Sequence, residues 1–342
     1  MKAVVLNEYG GPEVLRLAEM PEPQFGANEV LVRVRACALN HLDLWLRRGL
    51  PTQPLAFPHI LGADIAGEVA KIGNEVSNIR VGERVLLAPG LSCGQCAQCI
   101  AGHDNFCKAY TLFGSGVQGG YAEFVKALAV NVIPIPGKLS FEQAAAVPLV
   151  FLTAWHMLFT RARLRPAEEV LVIGASSGVG SAAIQIAKAA GARVIAASTS
   201  DAKLAKAKEL GADEVVSSQG QFAREVKRLT GGRGVDVVLE HVGQATWEQS
   251  IYSLARGGRL VTCGATTGFD GKINIGYLFA RHLSIHGSFM GAKSELFAVL
   301  ELFKRGLLKP VIDCVLPLER AAEAHQRLEN RGQFGKIVLS VA

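Results

Sequence analysis

From about Phe151 to Met290, short apolar runs alternate with helical segments, and this alternation limits the fold more than any other feature. The runs are Val170–Ile173, Arg193–Ala197, Glu214–Ser217, Val235–Leu239, Arg259–Cys263 and Leu283–His286. Each is too short for a helix and too apolar for a strand with one wet face. Most are separated by helical patterns such as Gly178–Ala190, Asp201–Leu210 and Phe222–Leu229. Ser200 and Asp201 give the second of these an N-cap signal, and Gly211 gives it a stop. Strands joined by helices must lie parallel, and a parallel sheet buries both faces. The fold class is therefore α/β, with a doubly wound, parallel, six-stranded sheet.

The residues before this region follow another rhythm. Val30–Arg35, Ile65–Ile72 and Arg84–Leu87 are alternating or apolar runs punctuated by Gly and Pro, the pattern of a small β-rich domain. The expected organisation is a β-rich domain over 1–150, with a lobe at about 90–110, and the parallel-sheet domain over 151–290. Residues 291–342 hold helices at Ser294–Arg305 and Leu318–Asn330 and a strand at Lys336–Val341. An odd terminal strand fits the β-rich domain better, so this stretch should return to it. A chain of 342 residues is long enough for two such cores.

The net charge is +6, but Lys and Arg are spread along the chain instead of gathered in a patch. This disfavours nucleic acid and suits a small anionic ligand. Gln143–Thr160 and Val170–Ala187 approach membrane-span length. Pro148 and His156 interrupt the first, and Gly174, Gly178 and Gly180 the second, so both read as buried elements with no membrane partner. The first residues, Met1–Glu8, lack the apolar centre and cleavage site of a signal peptide, and the cytoplasm is the expected location.

Val170–Ile173 runs into Gly174-Ala175-Ser176-Ser177-Gly178-Val179-Gly180, which opens a helix of small apolar residues. Glycines let a backbone approach a pyrophosphate, and the free N–H groups and dipole of the helix favour its charge. The spacing, G-x-x-x-G-x-G, is weak alone and gains its meaning from the six-strand context. A plain structural turn is the bland alternative. Gly174, Ser177, Gly178, Val179 and Gly180 are thus the candidate dinucleotide-binding residues of a Rossmann domain.

The second strand ends in Ala196-Ala197-Ser198-Thr199-Ser200, with Lys203 following. An acidic residue at that point would hold the ribose 2′-OH of NAD and repel a 2′-phosphate. Ser198 and Lys203 offer hydroxyl and ammonium instead, so NADP(H) is the expected cofactor. The alternatives are that Asp201 takes the ribose, which leaves NAD(H), and that Lys203 is a solvated helix charge.

Four of the seven cysteines form the array Cys93, Cys96, Cys99 and Cys107, spaced C-x-x-C-x-x-C-x7-C. Four thiolates around a tetrahedral cation make a closed, structural zinc site, which expects one zinc per chain kept away from substrate. Disulfides are disfavoured in a cytoplasmic chain, and an iron–sulfur cluster would favour other spacings. Cys37, Cys263 and Cys314 read as small core residues.

By these motifs the chain resembles the medium-chain dehydrogenase/reductase superfamily over nearly its whole length, from Lys2-Ala3-Val4-Val5 to Phe334-Gly335-Lys336-Ile337-Val338-Leu339. Leu39-Asn40-His41-Leu42-Asp43 and Gly62-Ala63-Asp64-Ile65-Ala66-Gly67 look like its quinone oxidoreductase and enoyl reductase branch. The resemblance implies a GroES-like catalytic domain beside the Rossmann domain. It also implies that the catalytic zinc ligands are lost, since Asn40, Ala63 and Leu149 stand near the positions where zinc alcohol dehydrogenases carry them. Leu42 falls where those enzymes carry a hydroxyl that relays the alcohol proton. Cys37, His41, His59 and Asp64 are the nearby residues from which a relocated site would have to be built.

The implied roles are as follows. Thr153 lies against the nicotinamide, and the backbone of Cys263, Gly264, Ala265, Ser284, Ile285 and His286 holds its carboxamide. Asn40 polarises a substrate carbonyl or is a structural amide. Asp43 organises the site by pairing with a basic residue, Lys336, which alternatively contacts the pyrophosphate. His41 bonds the pyrophosphate, supplies a proton or is structural, and His156 reads as core. Leu50-Pro51 stands where several enoyl reductases carry a catalytic Tyr just after Gly49, which weakens the enoyl-thioester reading. The expected activity is NAD(P)H-dependent reduction of quinones or α,β-unsaturated carbonyls by hydride transfer. The alternatives are an NAD(P)-dependent alcohol or aldehyde dehydrogenase and a non-catalytic nucleotide-binding protein. The small-molecule substrate is unspecified, and family habit implies a homodimer or tetramer.

Overall fold

The computed structural model describes Met1–Ala342 and divides into two compact units, Met1–Leu149 with Ala292–Ala342, and Val150–Gly291. In the second unit all six strands are parallel. Their order across the sheet is Glu214–Ser217, Arg193–Ser198, Glu169–Ile173, Val235–Glu240, Leu254–Thr262 and Ser284–Gly287. This is the Rossmann order 3-2-1-4-5-6. Val170, Leu171, Val172 and Ile173 are fully buried, as are Val194–Ala197, because helices cover both faces of the sheet.

The fifth strand begins at Leu254, five residues before its apolar run at Arg259. It passes through Arg256-Gly257-Gly258, where the pairing with the fourth strand slips between Val235 and Val237. The polar and glycine residues of that bulge hide the strand from any reading by apolar runs.

The first unit is built on a seven-stranded sheet whose centre is the ten-residue strand Glu29–Ala38. It pairs antiparallel with Asp64–Ile72 on one side and with the final strand, Lys336–Ser340, on the other. The C-terminal strand is thus laid beside residues some 300 positions earlier, with Val338 opposite Ala38. Val30, Val32, Val34, Ile65, Val85, Leu87, Ile337 and Leu339 fill the core on one face.

The chain leaves Glu29–Ala38 and turns into a helix, His41–Arg48, that the polar residues of this stretch did not announce. Asn40 is its N-cap and Asp43 its N3 residue, a capping pair legible in hindsight. The stretch Phe141–Arg161 is long and apolar enough to cross a membrane, but 78% of its apolar 18-residue window is buried inside the protein, as in a core helix.

Candidate functional site

In the first unit, the end of Glu29–Ala38, the start of His41–Arg48, the start of Asp64–Ile72 and the start of Lys336–Ser340 converge on one buried polar cluster. Lys336 is 4% exposed, Asp64 0%, Asp43 2% and Asn40 6%. The Lys336 ammonium donates to Leu39 O (2.6 Å), Asn40 Oδ1 (2.6 Å) and Asp64 Oδ2 (2.9 Å). An ammonium has three N–H groups, and all three are used. Lys336 therefore pairs with Asp64 and not, as expected, with Asp43.

Asp64 is the true partner. Its Oδ2 also accepts from Asn40 Nδ2 (2.9 Å), and its Oδ1 accepts from the Leu149 N–H (2.8 Å). Asp43 instead holds backbone, accepting from Asn40 N (2.7 Å) and Gly62 N (3.1 Å). Burial pushes its carboxyl up to about 6, against these N–H groups and Lys336, which pull it down. The Asn40 amide is bound at its oxygen and at its nitrogen, which leaves it one further N–H.

A second chain of buried polar groups runs behind Asp43. Arg47, fully buried, donates to Gly10 O (3.1 Å) and His325 Nδ1 (3.1 Å) and is paired with Glu329. A guanidinium only donates, so His325 Nδ1 accepts and its Nε2–H faces Tyr121 Oη at 3.2 Å. Burial, with Arg47 beside it, lowers His325 to about 3, so the ring is neutral as this direction requires. The chain fixes Tyr121, which packs against Gly62 beside the cluster.

The sulfurs of Cys93, Cys96, Cys99 and Cys107 lie within 4.8 Å of one another. Three of the separations are 3.5, 3.5 and 3.9 Å. Four thiolates at the usual zinc–sulfur distance of about 2.3 Å stand roughly 3.8 Å apart, so the array fits a tetrahedral zinc. This is the one place where three or more His, Cys, Asp or Glu ligand atoms converge. Cys37 and His59 do not help to rebuild a catalytic metal site, since Cys37 is buried in the sheet and His59 Nε2 lies 3.1 Å from Gly114 O.

In the second unit, the carboxyl ends of the parallel strands bring the sequence-predicted nucleotide residues to one edge. Gly174 follows the first strand in the left-handed region (φ 65°). Ser177 caps the twelve-residue helix Gly178–Ala189, its Oγ accepting from Gly180 N at 2.8 Å. A Cβ on Gly180 would lie 2.3 Å from Gly174 O, so only glycine lets helix and strand approach this closely. The first N–H groups of the helix have no partner within it, so they form a cradle that fits a dinucleotide pyrophosphate.

Ser198, 3% exposed, ends the second strand, and Lys203 lies half-buried in the helix Asp201–Glu209. Cys263, Gly264 and Ala265 follow the fifth strand, and Ser284, Ile285 and His286 lie in the sixth. Thr153, 4% exposed, lies in the helix Pro148–Trp155 with its Oγ1 4.0 Å from Met290 Sδ.

Residues 26–137 match the alcohol dehydrogenase GroES-like domain, and residues 178–305 match the zinc-binding dehydrogenase family. A crystal structure described as an NAD-dependent alcohol dehydrogenase is 50% identical with a TM-score of 0.97, covering 100% of both chains. The chain belongs to the medium-chain dehydrogenase/reductase superfamily. The quinone oxidoreductase of Rattus norvegicus is 34% identical over 99% of this chain and 97% of its own. The acryloyl-coenzyme A reductase of Metallosphaera sedula is 30% identical over 99% of this chain and 100% of its own.

As a medium-chain dehydrogenase/reductase, the chain is an NAD(P)-dependent oxidoreductase with a GroES-like and a Rossmann domain. Sequence reasoning missed two buried polar residues that stand against the predicted ones. Asp64 was seen only as a stray metal ligand, although Lys336 needs a buried anion. His241, which stands against Gly174 and Ser177, carried no signal except its place one residue past a central strand. His41 begins its helix with its ring edge-on to Trp45 (5.1 Å), and His156 is buried, 3% exposed.

Proposed function

We propose that this chain is an NADPH-dependent reductase of quinones or α,β-unsaturated carbonyl compounds that works without a metal at the reacting centre. The observation that carries this reading is the Asn40–Asp64–Lys336 cluster. At the positions where the resemblance puts the metal ligands of zinc alcohol dehydrogenases, this chain carries the amide of Asn40, the methyl of Ala63 and the isobutyl of Leu149. The amide oxygen is taken by an ammonium at 2.6 Å, which would repel a cation beside it.

Without a Lewis acid, the alkoxide that develops during alcohol oxidation is poorly stabilised. A quinone or enone spreads the arriving charge over its own conjugated system, so the protein mainly has to position the reactants. When bound, the reduced nicotinamide nucleotide supplies the hydride. Gly174, Ser177, Gly178, Val179 and Gly180 hold its pyrophosphate, and Ser198 and Lys203 its 2′-phosphate. Backbone around Cys263, Gly264, Ala265 and Ser284–His286 holds the carboxamide, with Thr153 against the ring. The uncommitted N–H of Asn40 meets the substrate carbonyl, Asp43 and Lys336 keep Asn40 in place, and His41 is the candidate for the pyrophosphate or the proton. One zinc sits in the cysteine lobe. With four cysteines given to zinc, Cys37, Cys263 and Cys314 stand as thiols, which suits the reducing cytoplasm. The Ser284–Gly287 strand, with one edge of the sheet unpaired, is the proposed homodimer contact.

A second reading, an NAD-dependent alcohol dehydrogenase, is favoured by the name of the structure that is 50% identical. Nucleotide oxidation with a panel of quinones, enones, enoyl thioesters and aldehydes, run with NADPH and with NADH, separates the two. Turnover of conjugated acceptors is expected, with NADPH preferred roughly tenfold in kcat/KM because of the 2′-phosphate contacts. Oxidation of simple alcohols that a chelator abolishes would establish the second reading. A tenfold preference for NADH would overturn the cofactor assignment, and nucleotide binding without turnover would leave a non-catalytic role.

A further inference from the structure

The nucleotide-binding unit holds a histidine that nothing above employs. His241 stands one residue past the Val235–Glu240 strand, the neighbour of the strand that enters the glycine turn. It is 9% exposed, and its Nε2 lies 3.1 Å from Ser177 Oγ. A Cβ on Gly174 would fall 2.6 Å from its Cε1, so the ring fills the space directly against the turn.

The segment that carries the ring is firmly held. Glu240, fully buried, accepts from Val242 N (2.6 Å), Gly243 N (3.1 Å), Thr246 Oγ1 (2.8 Å) and Ser250 Oγ (2.7 Å). The ring also faces backbone of Ile173 and of its own residue, which favours a proton on that side of the imidazole. Carbonyls only accept, so a ring N–H turned to that backbone leaves the nitrogen facing Ser177 as the acceptor. Burial lowers the basicity of the ring, which keeps this neutral form at neutral pH. Ser177 Oγ accepts from Gly180 N and keeps its own proton to donate to that nitrogen.

We propose that His241 is a positioning residue for the nicotinamide nucleotide. By accepting the Ser177 hydroxyl it locks the Gly174–Gly180 turn in the shape that aims the first helical N–H groups at the pyrophosphate. This rests on the nucleotide-binding reading given above. A turn already locked loses less freedom when the nucleotide arrives, and the gain appears as affinity.

The test is the Kd for NADPH and for NADH of the full-length protein, by calorimetry, with thermal unfolding of each sample. His241→Phe keeps a planar ring and removes the acceptor, and it is expected to raise the Kd roughly tenfold, the worth of one hydrogen bond. Ser177→Ala should do the same, and the double variant should bind no more weakly than the weaker single variant. His241→Gln restores an acceptor at similar reach and should recover affinity to within roughly threefold of the unsubstituted protein.

Unchanged affinity in His241→Phe, additive losses in the double variant, or a Gln variant as weak as the Phe variant would each overturn the proposal. If His241→Phe does not fold, Ser177→Ala and His241→Gln decide, and wild-type affinity in Ser177→Ala overturns it. An unsubstituted chain that binds neither nucleotide overturns the nucleotide-binding reading, and this inference with it.

Discussion

Lys336→Met is expected to destabilise the unit formed by Met1–Leu149 and Ala292–Ala342 by about 3–5 kcal/mol, the usual cost of stranding one half of a buried ion pair. The substitution keeps most of the volume but leaves Asp64, 0% exposed, with a charge that only Asn40 and the Leu149 N–H answer. Leu39 O and Asn40 Oδ1 lose their donor as well. In thermal unfolding followed by circular dichroism this should lower the midpoint by roughly 10 °C. The double variant Lys336→Met/Asp64→Leu removes both charges and should recover much of the loss, because a matched apolar pair avoids desolvation. A change below about 1 kcal/mol in the single variant would mean that the pair is screened by water and contributes like a surface bridge.

The second large effect concerns the cysteine lobe. Cys107→Ser, or treatment with a strong chelator, is expected to unfold the loop between the short strands Gly90–Leu91 and Thr111–Leu112. Three of its four cysteines lie at or near the surface, Cys93 exposed and Cys96 and Cys99 half-buried, and Asp104 Oδ1 accepting from Lys293 N at 2.9 Å is its tie to the helix that starts there. Structural zinc contributes about 10 kcal/mol or more in small closed sites. Lys108, exposed, is the one tryptic site between Ala88 and Leu112, so trypsin reports the loop directly. Cleavage there should accelerate by more than roughly tenfold and yield two fragments, while dinucleotide binding by Val150–Gly291 persists. Cleavage that is indifferent to both treatments would show that the loop needs no metal.

How much of this was legible in the sequence follows the range of the interactions. Parallel strands buried on both faces leave apolar runs that can be read one by one, so the sheet of Val150–Gly291 was visible nearly strand by strand. Its fifth strand started early because a bulge through Gly257-Gly258 broke the apolar run and shifted the register, with Leu254 still paired to Val235 before it. The cysteine array was readable because its ligands lie within fifteen residues of chain. The helix His41–Arg48 was missed because it buries Arg47 and Asp43, residues whose chemistry argues for an exposed surface.

The Lys336 partner was beyond reach for another reason. Asp43 and Asp64 are both acids near Asn40, and only the register of three strands places Asp64 opposite Ala38 with Lys336 close by. Separations of 272 residues carry no local signal. His241 is a similar case, since its neighbour Ser177 is 64 residues away and nothing in Glu240-His241-Val242-Gly243 indicates which strand lies beside it.

Elemental analysis of catalytically active protein, after dialysis against metal-free buffer, tests most directly whether hydride is delivered with no electrophilic ion at Asn40, Ala63 and Leu149. One zinc per chain, lost together with Cys107, is the expected result, with enone reduction proceeding in that same sample. Two zinc ions per chain, the second retained in Cys107→Ser and needed for turnover, would contradict it.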